Sequence, residues 1–112
     1  MRGSSGRLRK QVLMRIATFN IENLDFPVEH RLAVLRPALK RLEADILCLQ
    51  EVNSQKEPNT PERRRMALEQ LLIGTEYADF HRAATRSERH SGAATTHNLV
   101  TLSRYPIVEN RQ

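Results

Sequence analysis

Glu51 stands out because it is an acid placed directly at the end of an apolar segment. Residues 46–49 are apolar without interruption, and Gln50 and Glu51 follow with no turn residue between. A short continuous apolar run is typical of a buried strand. A carboxylate at the end of such a strand loses hydration unless it is ion-paired, hydrogen-bonded or bound to a cation. The position therefore predicts either a salt bridge to an arginine or lysine, or a cation site at Glu51.

Asn20 is the second residue whose position suggests chemistry. It lies near the C-terminal end of R-I-A-T-F-N-I, Arg15 to Ile21, which has the β-branched and aromatic residues of a strand. An asparagine at a strand end is by itself more often a turn or cap residue than a ligand. Its importance therefore depends on where the intervening chain places it relative to Glu51.

An amphipathic helix is predicted between these two strands, over Val28–Leu42. Its apolar residues recur at steps of four and three, the period of one helix face, and Pro37 is expected to kink or split it. The second strand is predicted over Asp45–Glu51. Strand, helix and strand then form a βαβ unit with parallel strands. We therefore expect Asn20 and Glu51 at the same edge of one sheet, where α/β folds bind ligands.

The middle of the chain predicts a polar loop and a second helix. Residues Asn53–Thr60 are polar and turn-rich, Thr60 and Pro61 have the types of an N-cap and a first helical position, and Gly74 ends the pattern. Three arginines, 63–65, would occupy the first turn of this helix. We expect them to form a solvated face rather than a phosphate site, because charge runs are usually exposed.

The last third of the chain predicts strands around a loop. We expect strands over Tyr77–Ala83 and His97–Ser103, a mobile loop over Ala84–Thr96, and a final short strand over Ile107–Glu109. A nucleotide-binding module of the doubly wound type is disfavoured, because F-N-I-E-N-L-D after the first strand contains no glycine.

Composition and charge describe one small globular domain behind a basic leader. The 112 residues carry a net charge of +5, but 13 basic and 13 acidic residues balance from Ile16 onward. The excess lies in residues 1–14 and Arg15, in a Gly/Ser-containing stretch that resembles a flexible leader or tag. Residues 15–112 form the predicted domain. One cysteine, no signal-peptide core and no run of membrane-spanning length favour a cytoplasmic location.

Three segments of the chain have the form of family signatures. They are A-T-F-N-I-E-N-L at Ala17–Leu24, D-I-L-C-L-Q-E-V at Asp45–Val52, and H-N-L-V-T-L-S-R-Y-P-I at His97–Ile107. Together they resemble the first signatures of the endonuclease/exonuclease/phosphatase superfamily, the deoxyribonuclease I-like enzymes. The resemblance implies the N-terminal half of a deoxyribonuclease I-like α/β sandwich, with one mixed β-sheet and flanking helices. It also implies a metal-dependent phosphoesterase that hydrolyses phosphodiesters or phosphomonoesters, with nucleic acid among the candidate substrates.

The resemblance also implies roles for individual residues. Glu51 would be the carboxylate ligand of Mg²⁺, or of Mn²⁺, and Asn20 the amide that contacts the metal site or the scissile phosphate. Glu22 matches a position near the metal whose identity varies among relatives. Asn98 is a candidate substrate contact, while His97 is more often structural at such a strand edge.

Family members place further catalytic groups beyond the signatures found here, including a histidine and aspartate pair that activates water. The chain is therefore expected to need a C-terminal half of the domain as its partner and to be inactive by itself. The alternative is a catalytically inactive fragment that serves only as a structural or interaction module. A reading frame that continues past Gln112 would favour the first interpretation, and a stop codon there would favour the second.

Overall fold

The protein is an α/β structure built on a mixed four-stranded sheet, as predicted. The computed structural model describes residues 13–59, 62–85 and 98–108. In chain order the elements are β1 (Ile16–Leu24), α1 (Glu29–Leu42), β2 (Ile46–Val52), β3 (Gln55–Lys56), β4 (Arg63–Arg64), α2 (Met66–Leu72), a 3₁₀ helix (Glu76–Asp79), β5 (His81–Ala84) and β6 (Asn98–Ser103).

The sheet order β1-β2-β6-β5 places the predicted βαβ unit at one edge. β1 and β2 run parallel, with Ile16 opposite Ile46 and Asn20 opposite Gln50. β6 runs antiparallel to β2, and β5 antiparallel to β6. The parallel pair predicted from the apolar run in β2 is confirmed, and β1 and β2 therefore end at the same edge of the sheet.

One face of the sheet packs on the helices to form the core. Alternate strand residues, among them Ile21, Leu47 and Leu102, are fully buried, and they cluster with Leu39 of α1 and Leu71 of α2. The opposite face carries polar and apolar residues in mixture. On it Ile16 is 64% and Leu99 62% exposed, so this face retains apolar surface that the described part of the chain leaves open to solvent.

Tyr77 ties three elements of the core together. Its ring is fully buried and packs edge-on against Phe80, with centroids 5.0 Å apart. Its hydroxyl donates to the carbonyl of Leu39 at 2.8 Å and accepts the backbone N–H of Ala44 at 3.0 Å. The hydroxyl thus satisfies two buried backbone groups at the junction between α1 and β2.

The helix α1 runs unbroken through Pro37, so the predicted split does not occur. The kink expected as the alternative stays a prediction. The proline lacks the N–H that would bond the carbonyl of Ala33. Both residues are exposed, so water can satisfy that carbonyl, and the helix continues.

None of the described helices is long and apolar enough to cross a membrane.

The prediction for the second helix was wrong at its start. α2 begins at Met66, so none of the three arginines expected on its first turn lies in the helix. Arg63 and Arg64 instead form β4, which pairs with β3, a strand within the predicted loop. Arg63 donates to the hydroxyl and carbonyl of Ser54, both at 2.8 Å. Pairing with chain neighbours across the hairpin overrides helix propensity here. Thr60 and Pro61 lie outside the described residues.

The last predicted strands also differ in extent. The segment predicted as the strand Tyr77–Ala83 divides into the 3₁₀ helix and β5. Tyr77 lies in the 3₁₀ helix, where its buried hydroxyl bonds to backbone groups of Leu39 and Ala44 rather than extending a strand. β6 begins at Asn98, and His97 and most of the predicted loop fall outside the described residues. The predicted strand Ile107–Glu109 is wrong over Ile107 and Val108, which have no regular structure, and Glu109 is outside the description.

Candidate functional site

The structure brings Asn20 and Glu51 into direct contact at the shared end of β1 and β2. The Nδ2 of Asn20 donates a hydrogen bond of 2.9 Å to Oε2 of Glu51. Asn20 is exposed and Glu51 half-buried. An amide and a carboxylate from two strands, 31 residues apart in the chain, therefore meet where a ligand in solvent can reach both.

The backbone around this pair is unusual. Glu22, Asn23 and Glu51 have φ values of 55°, 57° and 63°. Asparagine tolerates the left-handed region, whereas a glutamate there costs on the order of 1 kcal/mol or more. Both strand pairings also shift register at this point, between Asn20 and Leu24 and between Leu49 and Val52. Strained residues of this kind concentrate at functional sites.

The side chain of Asn20 is oriented by the turn that follows it. Its Oδ1 accepts the backbone N–H of Glu22 at 2.9 Å, which leaves Nδ2 to face Glu51. Arg31 of α1 donates to the carbonyls of Ile21 at 2.5 Å and Glu22 at 3.1 Å. These contacts hold the turn after Asn20 in place, and the Nδ2 group of Asn20 is therefore directed at the Glu51 carboxylate.

Glu51 has no cationic partner within residues 13–59, 62–85 and 98–108. The ion pairs of these residues join other acids, such as Asp45 with Arg104 at 2.8 Å and Glu69 with Arg82 at 2.7 Å. A neutral amide is the only hydrogen-bond donor that the described residues give to the Glu51 carboxylate. The salt bridge considered as an explanation of Glu51 is thus not formed there.

A groove of about 430 Å³ opens beside Asn20. It lies between the end of β1 and one side of α1. Its lining combines apolar and charged side chains: Phe19, Asn20, Glu22, His30, Arg31, Val34 and Leu35. The exposed amide of Asn20 therefore borders a space large enough for part of a small ligand.

A polar cluster behind the site joins the ends of β1 and β2. Asn53 donates to Oδ1 of Asn23 at 2.6 Å and to Oδ2 of Asp25 at 2.9 Å, and Gln55 donates to Oδ1 of Asp25 at 2.9 Å. Burial alone would raise the pKa of Asp25. The hydrogen bonds from Gln55, Asn53 and the backbone of Phe26 outweigh it and hold that pKa below its ordinary value.

Asn98 occupies a different position from the Asn20–Glu51 pair. Its side chain is fully buried, its Nδ2 donates to the carbonyl of Val52 at 2.7 Å, and its Oδ1 accepts from Arg65 at 3.0 Å. The structure therefore places Asn98 opposite Val52, the last residue of β2 and the one that follows Glu51. Its predicted contact with substrate stays a prediction, and such a contact would require the fully buried side chain to become accessible.

Comparison of the chain with known protein families identifies the family to which it belongs. Residues 17–112 match the Endonuclease/Exonuclease/phosphatase family. The chain belongs to this family. Comparison with curated proteins and with solved structures finds no significant match.

Membership in the Endonuclease/Exonuclease/phosphatase family places the chain among nuclease- and phosphatase-type hydrolases that act on phosphoester bonds. The match covers β2, β6 and all of β1 except Ile16, and so includes both Asn20 and Glu51. The family resemblance drawn from the three sequence segments is confirmed, as is the α/β fold that it implied.

The Glu51 carboxylate and the Asn20 amide are the kinds of group that suit a hard divalent cation such as Mg²⁺. Mg²⁺ takes oxygen ligands, keeps several waters and is commonly held by one or two carboxylates together with substrate phosphates. Within the described residues no group of three or more histidine, cysteine, aspartate or glutamate side chains converges. One carboxylate without a cationic partner, beside an exposed amide, fits an ion that leaves most of its coordination to water and substrate.

Sequence reasoning missed Arg31 as part of this site. In the helical pattern it is one polar residue among many, but it lies in the first turn of α1, where the helix dipole favours acids over cations. A basic residue in that turn, close to a strand end, was the available signal. The polar cluster around Asp25 had no such signal, because turn residues are expected after a strand in any case.

Proposed function

We propose that the protein is a metal-dependent phosphoesterase that uses Mg²⁺, with Mn²⁺ as a possible substitute, and that Glu51 is its metal-binding carboxylate. Asn20 is assigned to the same site, as an amide that contacts the metal site or the scissile phosphate. The observation that carries the proposal is the 2.9 Å contact between Asn20 and Glu51 at the shared end of two parallel strands.

The electrostatics of Glu51 support this assignment. A half-buried carboxylate with no cationic partner in the described residues loses part of its hydration without Coulombic compensation. A divalent cation would supply that compensation. When bound, such an ion neutralises charge that develops on the phosphate and stabilises the leaving oxygen.

The protein groups around the site have a separate task, which is to hold the donors in place. Asn20 fixes one carboxylate oxygen of Glu51 by donating to Oε2. The left-handed backbone at Glu51 coincides with the shift in register between Leu49 and Val52, so Glu51 departs from the regular strand geometry. A carboxylate positioned in advance does not have to reorganise as charge develops during the reaction, which is how preorganised sites lower a barrier.

The proposed substrate is a phosphate ester, with nucleic acid among the candidates. The groove beside Asn20 offers polar and apolar lining, including Arg31 and Phe19, and is compatible with one unit of such a substrate. In this proposal the groups that activate water come from a C-terminal half of the domain. The 112 residues alone are then expected to bind metal and to hydrolyse phosphate esters slowly or not at all.

Hydrolysis of bis(p-nitrophenyl) phosphate with Mg²⁺, with Mn²⁺ and with EDTA tests the proposal. It is measured for the 112-residue chain and for the product of the complete reading frame, each with and without Glu51→Ala. We expect metal-dependent activity in the complete product and a loss of at least about 100-fold in the variant, equivalent to roughly 2.7 kcal/mol of transition-state stabilisation.

Two outcomes would count against this assignment. Equal metal-dependent activity of the complete product with and without Glu51→Ala would contradict the metal-ligand role of Glu51. A reading frame that stops at Gln112, combined with no metal-dependent activity, would support the alternative that the chain is an inactive structural or interaction module.

A further inference from the structure

Arg31 contacts the backbone of β1 at the point where the strand turns away from the site. Its Nη2 donates to the carbonyl of Ile21 at 2.5 Å, and its Nη1 donates to the carbonyl of Glu22 at 3.1 Å. Arg31 is half-buried and forms no ion pair with the described residues. Its hydrogen-bonding capacity is thus directed at two successive carbonyls of the site.

The position of Arg31 in α1 does not stabilise the helix. It lies in the first turn of α1, where the partial positive charge of the helix end disfavours a cation. A guanidinium gains little for helix stability in this turn. The two carbonyl contacts give a physical reason for an arginine at the position.

The Ile21 carbonyl and the Glu22 N–H belong to one peptide group, which is planar and rigid. A donor that fixes the direction of the carbonyl therefore also fixes the direction of the N–H on the opposite side. That N–H donates to Oδ1 of Asn20 at 2.9 Å. Because the carbonyl is itself hydrogen-bonded, the N–H becomes a stronger donor as well.

The orientation of the Asn20 amide decides what Glu51 meets. With Oδ1 occupied by the Glu22 N–H, the Nδ2 group faces the carboxylate and donates to it at 2.9 Å. The opposite orientation would set an amide oxygen against a carboxylate oxygen, which is repulsive. A contact that fixes the Ile21–Glu22 peptide therefore selects the attractive arrangement.

We propose that Arg31 is a positioning residue that orients the Asn20 amide, and through it the Glu51 carboxylate, by holding the Ile21–Glu22 peptide group. Its link to metal binding rests on the proposed function of Glu51, whereas its effect on Asn20 does not. Arg31 contacts neither the carboxylate nor, in this proposal, the metal.

Arg36 provides a matched control on the same helix. It also donates to two backbone carbonyls, those of Leu71 at 3.1 Å and Gln70 at 2.6 Å, and these contacts are partly buried. They join α1 to α2 and do not touch the Asn20–Glu51 pair. Arg36→Ala thus removes contacts of the same kind and number without disturbing the peptide group that orients Asn20.

The test uses the ¹⁵N-labelled 112-residue chain and follows the side-chain NH₂ resonances of Asn20, assigned by their disappearance in Asn20→Asp. In Arg31→Ala we expect these resonances to move to the shifts and fast exchange of a free amide. In Arg36→Ala they should remain at the wild-type positions. Arg31→Gln, which is too short to reach both carbonyls, repeats the comparison if the alanine variant does not fold.

A Mg²⁺ titration of the same samples measures the consequence for the metal. We expect Arg31→Ala to weaken Mg²⁺ binding about 10-fold, the scale seen for residues that orient metal ligands, and Arg36→Ala to change it less than 2-fold. Unchanged Asn20 resonances in the Arg31 variants, or equal changes in the Arg36 variant, would overturn the proposal. If the wild-type chain binds no Mg²⁺, the proposed function fails, and the Asn20 resonances still decide the role of Arg31.

Discussion

Replacing Asn98 with alanine removes at least two hydrogen bonds at the end of β2. The carbonyl of Val52 loses its 2.7 Å donor, and the Nη2 of Arg65 loses its 3.0 Å acceptor but keeps the carbonyl of Thr85. The Val52 carbonyl has no easy replacement, because Val52 and Asn98 are both fully buried. Burial already lowers the pKa of the Arg65 guanidinium, so the lost acceptor also matters there. The Nε of Arg65 is buried with no acceptor among the described residues.

The magnitude follows from one unsatisfied carbonyl and one lost bond to a charged group. A buried carbonyl left without a donor costs about 1–3 kcal/mol, and a hydrogen bond to a charged group contributes about 1.5–3 kcal/mol. Because Arg65 keeps its contact with Thr85, we expect Asn98→Ala to lower the free energy of unfolding by about 2–3 kcal/mol. That is a large share of the stability of a domain of this size, about 5–15 kcal/mol, and corresponds to a fall in Tm of roughly 10–20 °C.

Urea unfolding followed by circular dichroism measures this change. The control is Leu99→Ala at the neighbouring position, where the side chain is 62% exposed and truncation should cost no more than about 0.5 kcal/mol. A loss below about 1 kcal/mol for Asn98→Ala would refute the reasoning. If that variant kept its stability but lost affinity for a phosphodiester, the predicted substrate contact of Asn98 would be supported instead.

Three further predictions concern the core, the polar cluster and the site. Tyr77→Phe should lower the free energy of unfolding by about 1–3 kcal/mol, because two buried backbone groups lose their partner, as urea titration would show; an unchanged midpoint would contradict this. The pKa of Asp25 is held below its ordinary value of 3.8, so its contribution to stability is present above about pH 4 and is lost as the pH falls through the lowered pKa. The difference in unfolding free energy between wild type and Asp25→Asn should therefore be largest at pH 7 and shrink below about pH 4, and a difference independent of pH would refute the assignment. Glu51→Gln should change the free energy of unfolding by less than about 0.5 kcal/mol, because the glutamine oxygen can still accept from Asn20, and a larger loss would indicate a structural role for the charge.

The sequence was sufficient for the arrangement of the parallel strands. The helical period between Val28 and Leu42 and the unbroken apolar run of β2 both follow from burial on defined faces, which is a strong and local signal. From them the common edge of Asn20 and Glu51 could be predicted before any coordinates. The family resemblance rested on the same segments, and the match to residues 17–112 covers them.

The features that local patterns could not predict depend on contacts between distant residues. Arg65 was expected on a solvated helix turn, but it donates to Asn98, 33 positions later in the chain. The sequence makes Asn98 a candidate substrate contact, and its burial becomes evident only when β6 lies beside β2. The left-handed backbone of Glu51 could not be predicted from its residue type, because glutamate rarely adopts that conformation.

The proposed metal site requires that Mg²⁺ binding depend on the Glu51 carboxylate. The measurement is a Mg²⁺ titration by heteronuclear NMR of the wild-type chain and of Glu51→Gln, with Glu69→Gln as a control in which a different, ion-paired acid is neutralised. We expect saturable shifts centred on Asn20 and Glu51 in the wild type and in the control, and none in Glu51→Gln. Shifts of equal size and midpoint in wild type and Glu51→Gln, or no saturable shifts at these residues in the wild type, would contradict the assignment of Glu51 as the metal ligand.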